Sequence, residues 1–370
     1  MSSKLIKDLI KSPKLNHIEL YKNYRKECKD LYKNPITIID PDILVGIEIE
    51  FQNYQGLDKP IYLWNISEDG SLRNNGVEFI SIPLKNEYIG EALYEFIACT
   101  SKEIQFSERT SIHIHINALD LTSEDIYKIF LTYLVVEPVL YNWIGHNREH
   151  NIFCVPWYTT QDIFFISNRI KKLDLIFGSG HSIQSSEKRY TGLNLDSLSK
   201  FGTLEFRQMY GTRDINKIVD WINILLVLRR SKDINLVDLT NKIIHLNTYS
   251  NYLDFLEFIF GPIYNLLYSF NVDKLLEQGS KMAKQSLLDY SILETFVHNY
   301  SHDSDLSKIL QKLGYVNNLP LTLDPGFRFV RPMVVDEVEE PMQGVSRASY
   351  STVHISTLNT PTSFFNTEDN

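Results

Sequence analysis

Four short stretches of the chain alternate strictly between large apolar and ionisable residues. In the run Val45-Gly46-Ile47-Glu48-Ile49-Glu50-Phe51, Ile47, Ile49 and Phe51 fall on one side and Glu48 and Glu50 on the other. A strand repeats its side-chain direction every second residue, so both carboxylates leave the same face. The pattern recurs around Glu78 in residues 76–81, around His113 and His115 in residues 111–116, and around Glu205 and Arg207 in residues 203–207. One such stretch reads as a half-buried strand whose charged side meets water. Four of them bring ionisable groups together on one face of a sheet.

The remaining pattern completes the outline. Shorter strands are expected at 61–64 and 192–195, and the Glu205 strand at 202–208. Dense turn chemistry fills 67–71 and 74–76. Helical spacing marks 86–100, 161–177 and 215–230. A further helix opens at Thr122-Ser123-Glu124-Asp125, with a hydroxyl cap and early acids, and runs towards Trp143. Pro138 lies inside it and is expected to kink or split it. Residues 233–315 read as mostly helical, with aromatic and Leu stripes suited to a core. The first 34 residues read as one or two short helices, with Leu20, Tyr24, Cys28 and Leu31 on one face. After residue 321 the periodicity decays, and 336–370 are rich in acids, Ser, Thr and Asn, the composition of a mobile tail. Strands early and helices late indicate an α+β fold with an antiparallel sheet. The expected organisation is an N-terminal helical segment over 1–40, one catalytic domain over 41–325 and a flexible tail over 326–370.

Composition narrows the function. The 370 residues carry a net charge of -9, which disfavours nucleic acid as a partner. Three scattered cysteines, Cys28, Cys99 and Cys154, form no thiolate metal motif or disulfide scaffold and suit a reducing compartment. The N-terminus has no continuous apolar region of a secretory signal, and no run approaches the ~20 apolar residues of a spanning helix. A soluble, cytoplasmic protein with no membrane partner is expected.

The candidate chemistry is that of a metal site. Glu48, Glu50, Glu78 and Glu205 with His113, and with His115 as a further candidate, form a mostly carboxylate set. It suits a hard cation, Mg²⁺ or Mn²⁺, better than zinc. Magnesium sites commonly combine a few carboxylates with substrate phosphates, so the set also points to a nucleotide. Glu68 and Asp69 sit in a turn that an Asx cap explains. Arg207 shares the strand face of Glu205 and offers a two-pronged donor for phosphate or carboxylate; an ion pair with a neighbouring Glu is the alternative. Lys188 and Arg189 are a weaker basic pair in a loop. No phosphate-binding glycine loop and no serine nucleophile elbow is present.

The motifs occur in an order that resembles a known family. Residues 46–51, the turn Glu68-Asp69-Gly70-Ser71 with the Glu78 strand, His113-Ile114-His115, and Asn147-Arg148 through Asn151 and Cys154 resemble motifs of the amidoligase family. So do Arg189-Tyr190-Thr191-Gly192-Leu193-Asn194-Leu195 and the Glu205 strand, with Gly211-Thr212 following. The resemblance spans roughly 44–230. That family lies in the carboxylate–amine ligase superfamily, with glutamine synthetase and glutamate–cysteine ligase. The resemblance implies a curved antiparallel sheet with helices on its convex face. It also implies ATP and two or more Mg²⁺ (or Mn²⁺) ions in the concave channel. Glu48, Glu50, Glu78, His113 and Glu205 would hold metal. Arg207 and Glu50 would act in catalysis, and Arg148, Lys188, Arg189 and Asn194 would contact the nucleotide. The implied reaction joins a small-molecule or peptide carboxylate to an amine through an acyl phosphate. A phosphotransferase on the same scaffold, a metal-dependent hydrolase and a non-catalytic binding protein on a decayed ligase fold are the alternatives. Arg213, after Gly211-Thr212, departs from the small or apolar residue expected there. Phages and mobile gene clusters are a frequent source of such chains.

Overall fold

Six strands form one antiparallel sheet in the order β2-β3-β1-β4-β6-β5. The computed structural model describes residues 4–10, 40, 42–160, 163–178, 183 and 190–297. Of the stretch expected to be helical before residue 34, residues 4–10 are described and hold one turn, Ile6–Leu9; the rest of it, the Lys188–Arg189 pair and the C-terminal tail lie outside these residues. The strands are β1 Val45–Phe51, β2 Trp64–Glu68, β3 Val77–Ser81, β4 Ser111–Asn117, β5 Leu193–Asn194 and β6 Thr203–Tyr210. Besides the four-residue turns Ile6–Leu9 and Tyr264–Leu267, the helices are α1 Asn86–Cys99, α2 Ser123–Ile144, α3 Ile163–Lys171, α4 Leu173–Gly178, α5 Ser197–Phe201, α6 Ile215–Arg229, α7 Leu236–Ile244, α8 Tyr249–Phe260 and α9 Val272–Val297. This is the α+β arrangement expected from the hydrophobic pattern.

Period-two alternation decides which face of the sheet is buried. Ile47, Ile49, Phe51, Ile112, Ile114, Ile116, Leu204 and Phe206 are all within 1% of complete burial and join one core with α1, α2 and α6. Phe51, Phe79 and Phe96 pack ring to ring across the seam between sheet and α1. The same alternation leaves Glu48, Glu50, Glu78, His113 and His115 on the opposite face.

Register in this sheet has one irregularity. Ile112 pairs with Met209 and Ile114 with Phe206, so His113 alone faces the two residues Arg207 and Gln208. This β-bulge ends simple alternation on β6. Arg207 stays with Glu205 on the ionisable face, and Met209 is fully buried beside Ile112.

Local signals were largely met, with two corrections. The strand expected at 61–64 begins at Trp64 and runs through Ser67 and Glu68, which pair with Glu78 and Val77. The turn is therefore displaced to 69–76, where Asp69 Oδ1 accepts from Ser71 N at 2.7 Å and Asn74 and Asn75 take positive φ. Helix α2 starts as expected, with a reciprocal capping box between Thr122 and Asp125. It is not split at Pro138 and runs as one 22-residue helix. Pro138 withholds the N–H that the Leu134 carbonyl would otherwise accept. Helix α9 covers that defect. Gly279 lies so close that a Cβ there would sit 2.0 Å from Val135 O and 2.5 Å from Leu134 O. Close backbone packing against a buried helix replaces what the ladder lacks.

Arg213 has a structural task. Its guanidinium donates to the carbonyls of Ser101, at 2.7 Å, and Ile97, at 3.0 Å, closing the C-terminal end of α1. A cation at the end of a helix satisfies carbonyls left without intrahelical donors.

Candidate metal centre

Strands β1, β3, β4 and β6 each place ionisable side chains on the face opposite the one packed against α1, α2 and α6. Antiparallel register sets Glu50 opposite Glu78, Glu48 opposite His113, and His115 opposite Glu205. Gly46 pairs with His115, and a Cβ at residue 46 would approach His115 Cβ to 3.2 Å. The glycine leaves room for an imidazole that a side chain would crowd.

Hydrogen bonds and ion pairs link these groups tightly. Glu48 Oε2 lies 2.9 Å from His113 Nδ1, and Glu48 Oε1 lies 3.1 Å from His115 Nε2. Ser111 gives Glu50 Oε2 both its backbone N–H, at 2.9 Å, and its hydroxyl, at 2.6 Å. The same hydroxyl lies 2.7 Å from His113 Nε2. Glu205 accepts from Arg207 on one oxygen, and from Ser197 and Asn194 Nδ2 on the other. Arg207 also donates Nε to Phe153 O at 3.3 Å and stacks over the Tyr190 ring.

Crowding of acids perturbs their protonation. Burial, then the charges of Glu48 and Glu50, push Glu78 up to about 9. Burial also acts to raise Glu48 and Glu205, but their cationic neighbours outweigh it. His115 and His113 hold Glu48 well below the usual carboxylate range. His115, Arg207 and His113 bring Glu205 down to about 2. Burial alone would lower His115, yet Glu48 and Glu205 raise it. These are the shifts of a site whose negative charge exceeds what its own cations neutralise.

The residues fit a divalent cation. Two groups each offer three ligand atoms within 4.8 Å of one another: Glu48, Glu78 and His113, and Glu48, His115 and Glu205. His115 Nε2 is buried with no hydrogen-bond partner, although Glu48 Oε1 is only 3.1 Å away. This nitrogen faces the carboxylate at ion-pair distance, where a cation would find ligand atoms on both sides. Carboxylates with one imidazole in each group match the donor preferences of Mg²⁺ and Mn²⁺.

Glu48, Glu50, Glu78, His113, Glu205 and Arg207 are thus brought to one cluster. Four residues were expected at a nucleotide. Lys188 and Arg189 lie outside the described residues. Asn194 is buried and donates to Glu205. Arg148 is only 3% exposed, and its guanidinium donates to Gln208 O at 2.9 Å and Arg207 O at 3.2 Å, the two residues of the bulge. Burial and these carbonyls make Arg148 a clamp on β6 rather than a phosphate contact. Ser111, Ser197 and Thr203 were not singled out from sequence. Ser111 and Thr203 each stand two residues before a member of the cluster on the same strand, so extending the alternation by one step would have found them.

An imidazole between a carboxylate and a serine hydroxyl also resembles a nucleophilic relay. Here Ser111 is 2% exposed and its hydroxyl proton points at Glu50, so the oxygen is not placed to attack a substrate.

Residues 67–228 match a family model described as putative amidoligase enzyme. No curated protein sequence matched the chain. The family match includes Glu78, His113, His115, Glu205 and Arg207 and begins after β1, so Glu48 and Glu50 join the site through sheet register.

Proposed function

From the amidoligase-family segment that the chain carries at residues 67–228, we propose that this protein is an ATP-dependent carboxylate–amine ligase. The observation that supports it most is the acid–imidazole cluster with Arg207 at its edge. Mg²⁺ or Mn²⁺ held by Glu48, Glu78, His113, His115 and Glu205 would neutralise phosphate charge during transfer. In this reading the γ-phosphoryl group of ATP passes to a substrate carboxylate, giving an acyl phosphate and ADP. The amine then attacks the acyl carbon, phosphate leaves, and the amine proton goes to solvent or a nearby carboxylate.

The chain's own groups divide the remaining work. Arg207 is paired with Glu205 and keeps further guanidinium donors at the cluster edge, where an anionic group can meet them. Asn194 and Ser197 fix the other oxygen of Glu205. Glu50 is held by Ser111 and faces Glu78. A sheet curved around this face, as in glutamine synthetase, would form the channel for nucleotide and substrates.

The test is ADP release with Mg²⁺ and ATP against a panel of carboxylates and amines. Release that needs both a carboxylate and an amine supports ligation. Release with no amine present supports the phosphotransferase alternative, and hydrolysis of a substrate without ATP supports a metal-dependent hydrolase. No helix among the described residues is long and apolar enough to cross a membrane.

A further inference from the structure

The two histidines of β4 present different ring nitrogens to the same carboxylate. His113 turns Nδ1 towards Glu48 Oε2, at 2.9 Å, and His115 turns Nε2 towards Glu48 Oε1, at 3.1 Å. Each ring has a hydroxyl on its other nitrogen: Ser111 Oγ lies 2.7 Å from His113 Nε2, and Thr203 Oγ1 lies 2.9 Å from His115 Nδ1. A hydroxyl has one proton to give. Ser111 spends its proton on Glu50 Oε2, at 2.6 Å, and Glu50 is already fixed there by the Ser111 backbone N–H on the same oxygen. With that proton committed, the Ser111 oxygen has lone pairs left to accept from His113 Nε2. Nε2 therefore carries a proton in the neutral ring and in the cationic ring alike. Nδ1 faces Glu48, and it is the nitrogen whose proton a bound cation would replace.

We infer that Ser111 is a positioning residue that holds His113 in its Nε2–H tautomer and so makes Nδ1 its metal-binding nitrogen. The inference rests on the metal reading of the cluster. Glu50 belongs to the same device, since it takes the hydroxyl proton that would otherwise compete for Nε2. The chain Glu50–Ser111–His113 thus converts one carboxylate into a tautomer lock. On this account Glu50 supports the site through Ser111, and neither group of three ligand candidates needs it. Thr203 stands in the equivalent place beside His115, with its hydroxyl 2.9 Å from Nδ1.

The experiment uses the full chain labelled with ¹⁵N-histidine. Two-bond ring correlations are recorded without metal, with the His113 signals assigned by their absence in His113→Gln, and Mn²⁺ affinity is measured by calorimetry. Wild type is expected to show Nε2–H at His113. Ser111→Ala should lose that pattern in favour of mixed tautomers and bind Mn²⁺ about 10–100-fold more weakly, the range seen when partners of metal ligands are removed. Ser111→Thr keeps the hydroxyl and should restore both readouts, which a purely structural role for residue 111 would not require. A wild type that takes up no Mn²⁺ overturns the metal reading and this inference with it. A wild type that binds Mn²⁺ but shows Nδ1–H without Nε2–H at His113, or a Ser111→Ala variant with unchanged tautomer and affinity, overturns the inference alone.

Discussion

Glu48 stands between His113 and His115, with one carboxylate oxygen 2.9 Å from the first ring and the other 3.1 Å from the second. It is common to both groups of ligand candidates. A divalent cation that binds the native site should raise the melting temperature, by about 2.7 kcal/mol of stabilisation at a hundredfold excess over Kd. Glu48→Gln keeps the shape and removes the charge. Melting curves with and without Mn²⁺ should show a shift in wild type and none in Glu48→Gln. An equal shift in both would remove Glu48 from the metal site.

Arg207 pairs with Glu205 and reaches Phe153 O, so two readings of it compete. If it serves an anion, Arg207→Ala should cost about 10²–10³ in turnover while the fold survives. Arg207→Lys should cost nearly as much, because Lys keeps charge but loses the planar fork. ADP release beside a melting curve separates the readings. Full activity in Arg207→Ala ends the catalytic role, and loss of activity with a collapsed melting curve assigns Arg207 to structure alone.

Arg148 should behave differently from a nucleotide contact. Its guanidinium holds the carbonyls of Arg207 and Gln208, where β6 bulges around His113. Arg148→Met leaves those buried carbonyls without donors, at a cost of about 1–3 kcal/mol each. Turnover should fall as Arg207 shifts, with ATP affinity changed by less than about threefold, since each tenfold is worth about 1.4 kcal/mol. A large loss of ATP affinity with unchanged stability would return Arg148 to the nucleotide.

Protonation gives two separate pH windows in metal-free protein. Glu78 rises to about 9 through burial and its acidic neighbours, so the folded state holds a proton that the unfolded chain releases near 4.5. Its contribution is complete below about pH 4.5 and is lost as pH rises through about 9. Glu205 is lowered to about 2, so its contribution is present above about pH 4.5 and is lost as pH falls through about 2. Metal-free protein should therefore lose stability towards alkaline pH, and Glu78→Gln should flatten that limb. Mn²⁺ binding near pH 8 should also release a proton, measured by calorimetry in buffers of different ionisation enthalpy. Zero proton release would show that Glu78 is already ionised.

Much of the site was legible because strand alternation needs only two residues per repeat. Glu48 and Glu50, Glu78, His113 and Glu205 follow from it, and Arg207 sits two residues beyond Glu205. What alternation cannot show is register. The bulge that sets His113 against Arg207 and Gln208 depends on pairing between strands about ninety residues apart, so the carbonyls that hold Arg148 could not be read from sequence. The Asn194 contact with Glu205 was hidden for the same reason, since only the β5–β6 pairing puts the two opposite each other. Pro138 failed as a breaker because the compensation comes from Gly279, a residue with no side chain to leave a pattern.

That last contact has a consequence for synthesis. Every residue assigned to the site has been synthesised once Arg207 is made, and the family match ends at residue 228. Helix α2, buried along most of its length, still lacks its cover at Leu134 and Val135 until Gly279 arrives, and Tyr127 lacks its partner at Ser286. A nascent chain that holds every candidate site residue is therefore still missing a wall of its own core. The matched segment is shorter than the unit that folds, and moving it into another gene would require the last helix to travel with it.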